Sequence, residues 1–333
     1  MMRLPPFSYL APVSVADAVK LMADHGPEAM LVAGGTDLYP NMKRRQFEPT
    51  VLVGLRGIQD LAGVRRPSEG GLAIGAGTTL TAVSRHPEVR SRYAALATAA
   101  GAVSTPQLRN MGTLGGNVCV DTRCNYYNQS YQWRKAVNFC MKKDGEICLV
   151  APGSPRCWAV SSSDTAPVLW SLGASVRIAG PAGERTIPIS ALYEDDGIRY
   201  LTKQPGEIVT EIALPAAEGV RSVYLKLRRR GSFDFPVLGV AAALAMDGDR
   251  VRDARIVLGA VASLPREVPT AARVLVGERL TPDVIDRAAD AAARPAKPLD
   301  NTDLTHPYRK KMTRVYVARA LRRLAGLPEA LSA

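Results

Sequence analysis

The chain has 333 residues, and 47% of them are hydrophobic. This length exceeds that of a domain with a single compact core, so two or three domains are expected. No stretch approaches the ~18 consecutive apolar residues that a membrane span requires. Lys and Arg outnumber Asp and Glu by 43 to 31, a net charge of +12, but the basic residues are spread along the chain without a nucleic-acid-binding motif. We therefore expect neither a nucleic acid nor a membrane as a partner. Residues 1–30 lack a signal-type apolar region, which favours the cytoplasm.

The first half of the chain alternates between helical and extended patterns. Ser14 and Asp17 form a capping box that opens a helix ending near Gly26. The predicted elements that follow are a strand at 29–33, a short helix to Arg45, a strand at 51–55, a strand at 72–77, a helix from Thr81 and an alanine-rich helix around 93–103.

The second half predicts short strands and then a change of texture near residue 218. The predicted elements are a cap at 161–164 before a helix at 166–172, short strands within 174–213, a hairpin of strands 237–246 and 251–260, and helices at 281–293 and 308–325. We predict one domain over 1–218, divided near residue 56 into subdomains 1–56 and 57–218, and a second domain over 219–333.

Four cysteines, Cys124, Cys140, Cys148 and Cys157, lie within 34 residues, and the chain has only one other, Cys119. A cubane iron–sulfur cluster needs four thiolate ligands. The spacing C-x15-C-x7-C-x8-C is wider than the paired ligands of ferredoxins and zinc ribbons, so each thiol must come from a separate turn of one loop. Cys119 is predicted to be a small buried hydrophobe.

The same loop is rich in aromatic and basic residues, which could shield a cluster from water and offset its negative charge. The aromatic residues are Tyr126, Tyr127, Tyr131, Trp133, Phe139 and Trp158. The basic residues are Arg123, Arg134, Lys135, Lys142, Lys143 and Arg156. Disulfides are disfavoured without a secretory signal. Spacing alone leaves an iron–sulfur cluster, a zinc site and free thiols open.

Two glycine-rich turns stand before this loop. The first, from 31 to 38, runs from an apolar strand into a helix, an arrangement that points backbone N–H groups at a phosphate. It matches neither G-x-G-x-x-G nor the P-loop, which disfavours a Rossmann NAD site and an ATPase. The second, from 113 to 117, directly precedes the cysteine loop. No histidine–carboxylate or serine-elbow pattern accompanies them, so we predict no catalytic acid, base or nucleophile.

The "AGGTDL" turn, the "TLGGN" turn and the downstream Asp164 resemble the FAD-binding medium subunit of the molybdenum hydroxylases, the family of xanthine dehydrogenase and carbon monoxide dehydrogenase. The resemblance implies an α+β fold. A two-part FAD-binding domain of the vanillyl-alcohol-oxidase (PCMH) type would precede a smaller C-terminal α/β domain of the CO dehydrogenase flavoprotein type. It implies FAD contacts at Leu31, Val32, Ala33, Gly34, Gly35, Thr36, Asp37, Leu38, Ser104, Thr113, Gly115, Gly116, Asn117, Asp164 and Lys226.

The cysteine loop resembles the insertion that holds a [4Fe–4S] cluster in the β subunit of 4-hydroxybenzoyl-CoA reductase. That resemblance implies the four loop cysteines as cluster ligands. It also implies a large molybdopterin subunit and a small [2Fe–2S] subunit as partners in a heterotrimer that can itself dimerise, and a ferredoxin-like carrier. The chain would relay electrons between the external carrier and the two partner subunits. An aldehyde or N-heterocycle oxidoreductase, a stand-alone flavin dehydrogenase and a zinc-loop interaction protein stay as alternatives.

Overall fold

The computed structural model describes residues 3–329, which form three sheets. The first is parallel, in the order β1-β3-β2, with strands β1 (Ser8–Leu10), β2 (Ala29–Val32) and β3 (Val51–Gly54). The second is antiparallel, in the order β4-β5-β8-β6-β7, with strands β4 (Val64–Arg65), β5 (Leu72–Gly75), β6 (Ser175–Gly180), β7 (Gly183–Pro188) and β8 (Ile208–Leu214). The third is antiparallel, in the order β12-β11-β10-β9, with strands β9 (Val220–Leu227), β10 (Leu238–Asp247), β11 (Arg250–Gly259) and β12 (Arg266–Glu267).

Helices cover these sheets. They are α1 (Val15–His25), α2 (Leu38–Lys43), α3 (Leu80–Arg85), α4 (Pro87–Arg92), α5 (Ala94–Ala102), α6 (Pro106–Arg109), α7 (Leu114–Val118), α8 (Tyr131–Ala136), α9 (Thr165–Ser171), α10 (Pro269–Leu275), α11 (Pro282–Ala293) and α12 (His306–Leu324). Within residues 3–329, none of the helices has the length and apolar character needed to cross a membrane.

The first sheet is covered by helix α1. The predicted capping box is confirmed, since the Ser14 hydroxyl accepts a hydrogen bond from the Asp17 backbone N–H at 3.0 Å. Gly26 ends the helix with φ of 50°, a conformation that favours glycine. The buried face of α1, with Ala18 and Met22, packs against β3.

The second sheet brings distant parts of the chain together. Strand β5 pairs directly with β8, although β8 comes late in the chain. A connection of about a hundred residues lies between the end of β5 and the start of β6. That connection carries the second glycine turn and the cysteine loop. Helix α5 is buried through Ala95, Leu96 and Ala99, which confirms the alanine-rich stretch as a tightly packed helix.

The third sheet is built on the predicted hairpin. Strands β10 and β11, ten residues each, pair from Gly239–Gly259 to Asp247–Arg250, and Gly248 in the turn has φ of 59°. Helices α11 and α12, predicted with bounds within two residues of those observed, pack with this sheet in one apolar core.

Near the site, one predicted turn is a short helix, and the predicted cap at 161–164 is confirmed through Ser163. Residues 114–118, predicted as part of a turn, form a short helix, because the Thr113 hydroxyl accepts from the Gly116 N–H at 3.0 Å and caps it. At α9 the Asp164 side chain makes no cap hydrogen bond. The Ser163 hydroxyl instead accepts from the Ala166 N–H at 2.9 Å, which frees Asp164 for other partners.

Candidate functional site

The two glycine-rich segments lie against each other. A β-carbon on Gly34 would overlap the backbone carbonyl of Met111, just before the second turn. The backbone of Gly112 accepts from the Leu80 N–H at 2.8 Å, and Leu114 donates to the carbonyl of Thr78 at 2.9 Å. Backbone-to-backbone packing of this closeness leaves room for glycine only.

The first turn places the Asp37 carboxylate at the start of helix α2. Leu31 and Val32 end strand β2, Ala33 to Thr36 form the turn, and Leu38 begins the helix. Gly35 has φ of 68°, and a side chain there would overlap the ring of Tyr39. The Asp37 carboxylate accepts from the Asn41 side-chain amide at 3.0 Å and forms an ion pair with Arg123.

The second turn is fastened to the segment that contains Asp164. The Asn117 side-chain oxygen accepts three hydrogen bonds, from the Ser163 hydroxyl at 2.9 Å, the Thr165 hydroxyl at 2.7 Å and the Thr165 N–H at 3.1 Å. Gly115 packs on Ala76, where a β-carbon would lie 2.6 Å from the alanine methyl. Gly115 and Asn117 are therefore fixed by neighbouring side chains and by the Thr165 N–H.

Asp164 and Lys226 meet at the junction between the second and third sheets. The Asp164 carboxylate accepts from the Tyr224 hydroxyl at 2.7 Å and from Lys226 Nζ at 2.9 Å, and both charged side chains are more than nine-tenths buried. Burial raises the pKa of Asp164 and lowers the pKa of Lys226, and their mutual attraction opposes both shifts.

Ser104 lies at the same junction. Lys226 Nζ also donates to the carbonyl of Ala102 at 3.0 Å, at the end of helix α5. Ser104 has φ of 44°, and its carbonyl accepts from the Phe233 N–H at 3.2 Å. The structure thus brings Ser104, Asp164 and Lys226 together, with protein partners on both oxygens of the carboxylate.

The four loop cysteines form a buried group. Cys124, Cys140 and Cys157 share one small apolar cluster with Tyr127, and Cys148 is also buried. All four are free thiols. Burial, together with the nearby thiols of Cys140 and Cys157, raises the pKa of Cys124 to about 12.

The cysteine pocket is closely packed on one side and has one buried cation beside it. Burial raises the pKa of Cys157 to about 11, and Lys142 opposes that shift. Lys142 Nζ lies 2.8 Å from an Asp121 carboxylate oxygen and 4.7 Å from the Tyr127 ring centre. A β-carbon on Gly197 would lie 2.7 Å from the Cys157 sulfur. Cys119 stands apart, half-buried against the main core, and burial raises the pKa of its thiol.

Among residues 3–329, no three His, Cys, Asp or Glu side chains are grouped closely enough to hold a single metal ion. Thiolates around one zinc ion, with Zn–S bonds of about 2.3 Å, converge on a point. The thiolates of a cubane bind four different irons and stand farther apart. The donor set, four free and buried thiols of one loop with three of them in one apolar cluster, therefore fits a cluster in its chemistry.

Sequence reasoning missed the side chains that join the cysteine loop to the first glycine turn and to the end of helix α2. Arg123 pairs with Asp37, 86 residues earlier, and the Gln46 side-chain amide donates to the Tyr127 carbonyl at 2.6 Å. The fully buried Arg134 donates to the carbonyls of Arg44 and Arg45 at 3.0 and 3.1 Å. Basic residues in a loop carry no sequence signal of such burial.

The matches to family models cover nearly the whole chain. Residues 5–217 match the FAD binding domain in molybdopterin dehydrogenase, and residues 222–324 match the CO dehydrogenase flavoprotein C-terminal domain. This chain belongs to the FAD-binding medium subunits of the molybdenum hydroxylase family. It is an oxidoreductase subunit, and the expected fold class is confirmed.

Relatives of this medium subunit act in several complexes. The carbon monoxide dehydrogenase medium chain of Afipia carboxidovorans is 30% identical over 318 residues, 95% of this chain and 96% of that protein. The aldehyde oxidoreductase FAD-binding subunit PaoB of Escherichia coli is 32% identical over 297 residues, 86% of this chain and 92% of that protein. The reconstituted CO dehydrogenase from Oligotropha carboxidovorans matches with a TM-score of 0.80 and 30% identity, covering 98% of this chain and all of that one.

Proposed function

We propose that this chain is a two-cofactor electron-transfer subunit that binds one FAD and one [4Fe–4S] cluster. The observation that carries the proposal is the loop of four free, buried thiols, three of them in one apolar cluster, which the buried Arg123 joins to the glycine turn of an FAD-binding domain. FAD exchanges electrons singly or in pairs and a cluster exchanges them singly, so the two together supply a relay.

The residues proposed to hold FAD are those of the two turns and the junction: 31–38, Ser104, Thr113, Gly115, Gly116, Asn117, Asp164 and Lys226. Gly34 lets the first turn approach the backbone of Met111, and N–H groups of this first turn are proposed to face a phosphate. In the second turn the Gly115 and Gly116 N–H groups already donate to the Ala76 carbonyl and the Thr113 hydroxyl. Asp164 and Lys226 already engage each other, so we propose that they fix the junction beside the flavin.

The residues proposed to hold the cluster are Cys124, Cys140, Cys148 and Cys157. Tyr127 packs among the thiols and excludes water, and Lys142 supplies a buried positive charge next to Cys157. A cation near thiolates favours the deprotonated ligand and the added negative charge of a reduced centre.

Cofactor content is the direct test. Anaerobically purified protein should show flavin absorbance and contain about four iron and four acid-labile sulfide atoms per chain. Zinc in place of iron would overturn the cluster and favour a zinc-loop interaction protein. Absence of flavin at saturating FAD would overturn the FAD site.

Replacing Cys148 with serine should remove the cluster and leave FAD bound at saturating concentration, because the thiol pocket and the glycine turns are separate sites. Iron content and flavin absorbance of the same sample measure both. Cys119→Ser is the matched control, since Cys119 lies outside the pocket. Equal iron loss in both variants would contradict the ligand assignment.

We further propose that the subunit works beside a large molybdopterin chain and a small [2Fe–2S] chain, with a ferredoxin-like carrier outside the complex. Its relatives are named as medium chains, which supports a multi-subunit assembly. Five free thiols favour a reducing compartment such as the cytoplasm.

We also propose that the chain divides into two domains near residue 218. The second sheet ends at Leu214 and the third begins at Val220. In this division the cysteine loop, at about 119–160, is an insertion in the FAD-binding domain.

For the assembled complex we propose 4-hydroxybenzoyl-CoA reductase chemistry, on the resemblance of the cysteine loop. The second candidate is aldehyde oxidation, which the relative PaoB favours. An assay of the reconstituted complex with 4-hydroxybenzoyl-CoA and a strong one-electron reductant distinguishes them. Oxidation of aldehydes or N-heterocycles without dehydroxylation would overturn the first and leave both cofactor sites standing.

A further inference from the structure

Arg123 occupies the neck of the cysteine loop. Its backbone N–H donates to the Val160 carbonyl at 2.9 Å, and the Val160 N–H donates back at 2.8 Å. This backbone pair closes the loop that contains all four clustered thiols, and the next residue along the chain is Cys124. The position of Arg123 is therefore tied to the path of the loop.

The Arg123 side chain leaves the loop and reaches the first glycine turn. Its guanidinium pairs with Asp37, donates to the Asn41 side-chain oxygen at 3.3 Å and lies 4.3 Å from the centre of the Phe235 ring. Only about 9% of the side chain is exposed, and its Nε has no hydrogen-bond partner in the described part of the chain. Asp37 is thus the main counter-charge of a buried cation.

Because Arg123 is buried, its ion pair with Asp37 depends on the positions of both the loop neck and the glycine turn. Burial lowers the pKa of Arg123 to about 10, so the group stays charged near neutral pH. A buried charge that loses its partner is strongly unfavourable. A movement of the loop neck must therefore move Asp37 or break the pair.

Two other links hold the same segment but do not reach the turn itself. Gln46 binds the Tyr127 carbonyl, and Arg134 binds the carbonyls at the end of helix α2. Arg123 is the link that ends on a residue of the glycine turn.

We propose that Arg123 is a positioning residue that couples FAD affinity to occupancy of the cysteine pocket. A cluster that binds the loop in its closed form holds Arg123 in place, Arg123 holds Asp37, and Asp37 holds the glycine turn in the form that takes FAD. By linkage, bound FAD favours the closed loop to the same extent. This inference rests on the proposed two-cofactor function.

The test is a thermodynamic cycle on the full chain. The FAD dissociation constant is measured by flavin fluorescence for cluster-loaded protein and for the same protein after anaerobic removal of the cluster. The comparison is made for the natural sequence, Arg123→Met and Asp37→Asn. Arg156→Met is the matched control, because Arg156 belongs to the same loop and stacks on Trp158 but pairs with Asp195, away from the turn.

We expect removal of the cluster to weaken FAD binding about tenfold in the natural sequence and in Arg156→Met, within the range usual for coupled sites. In Arg123→Met and in Asp37→Asn the loss should fall below about twofold. Asp37→Asn keeps the shape of the turn, so it reports on coupling even where Arg123→Met fails to fold.

The outcomes separate this inference from the proposal on which it rests. Natural protein that binds no cluster or no FAD contradicts the proposed function. Natural protein that binds both, with the same FAD affinity in the loaded and stripped states, contradicts the coupling. A tenfold loss that persists in Arg123→Met and Asp37→Asn contradicts the role of Arg123.

Discussion

Single glycines set the shape of the flavin turns through contact rather than through conformation alone. Gly34 has no left-handed backbone, yet a β-carbon on it would overlap the Met111 carbonyl. Gly35 differs, because its φ of 68° and the Tyr39 ring each exclude a side chain. The two neighbours are glycines for different physical reasons, and both keep the turn compact.

Gly34→Ala should therefore weaken FAD binding more than tenfold, because the two turns must separate to admit the methyl group. The FAD dissociation constant by fluorescence titration measures the effect. Gly231→Ala is the control, since a β-carbon there meets no atom within 4 Å. Equal affinities for the two variants would show that the turns do not form the flavin site.

At this scale the sequence predicts local motifs but not their partners. The glycine turns and clustered cysteines are visible as short patterns, because their chemistry depends on neighbouring residues. The pairs Arg123–Asp37 and Lys226–Asp164 join residues 86 and 62 positions apart. Such pairs arise from the packing of elements, which single-residue patterns do not encode.

Elements with a strong period or cap were predictable. Helix α1 has its Ser14 cap, and α12 has a 19-residue pattern. Helices α6 and α8, of four and six residues, were not predicted, because so few residues carry no clear period. Both flank the candidate site, and the seven-residue α10, in the core of the third sheet, was not predicted either.

Arg185 of the β6–β7 hairpin pairs with Glu207, the residue before β8, which makes the acid stability of this contact testable. Arg185 donates to Glu207 through Nε at 3.1 Å and Nη2 at 2.8 Å, and this bonding lowers the pKa of the Glu207 carboxyl. The stabilisation is present above the unfolded pKa of about 4.3 and is lost as pH falls through the lower folded value.

Glu207→Gln should therefore lower stability by about 0.5–1 kcal/mol at pH 7, since Arg185 is partly exposed. The difference from the natural protein should shrink as pH falls below about 4.3. Thermal unfolding at pH 7, 5 and 3.5 measures this, with the exposed Glu184→Gln as control. A difference that grows in acid would have the wrong sign for a depressed pKa.

In the whole molecule, the second and third sheets meet through a buried polar contact. Tyr224 and Lys226 on β9 both bind Asp164, at the start of α9, and Lys226 also binds the Ala102 carbonyl at the end of α5. The neck of the cysteine loop is held from the third-sheet side as well, since the Asn301 side-chain amide donates to the Trp158 carbonyl at 2.6 Å. Hydrogen bonds thus join the C-terminal part of the chain to helices α5 and α9 and to the neck of the cysteine loop.

Lys226→Met tests whether this contact holds the two parts together. It leaves Asp164 buried with the Tyr224 hydroxyl and without its counter-charge, so we expect a loss of about 3–5 kcal/mol in the free energy of unfolding by urea, at fixed FAD concentration. Asp164→Asn combined with Lys226→Met should recover part of that loss, because no charge is then left unpaired. Arg252→Met, at an exposed position on the same sheet, is the control. A loss below about 1 kcal/mol in Lys226→Met, or no recovery in the double variant, would mean that apolar contacts alone dock the C-terminal sheet.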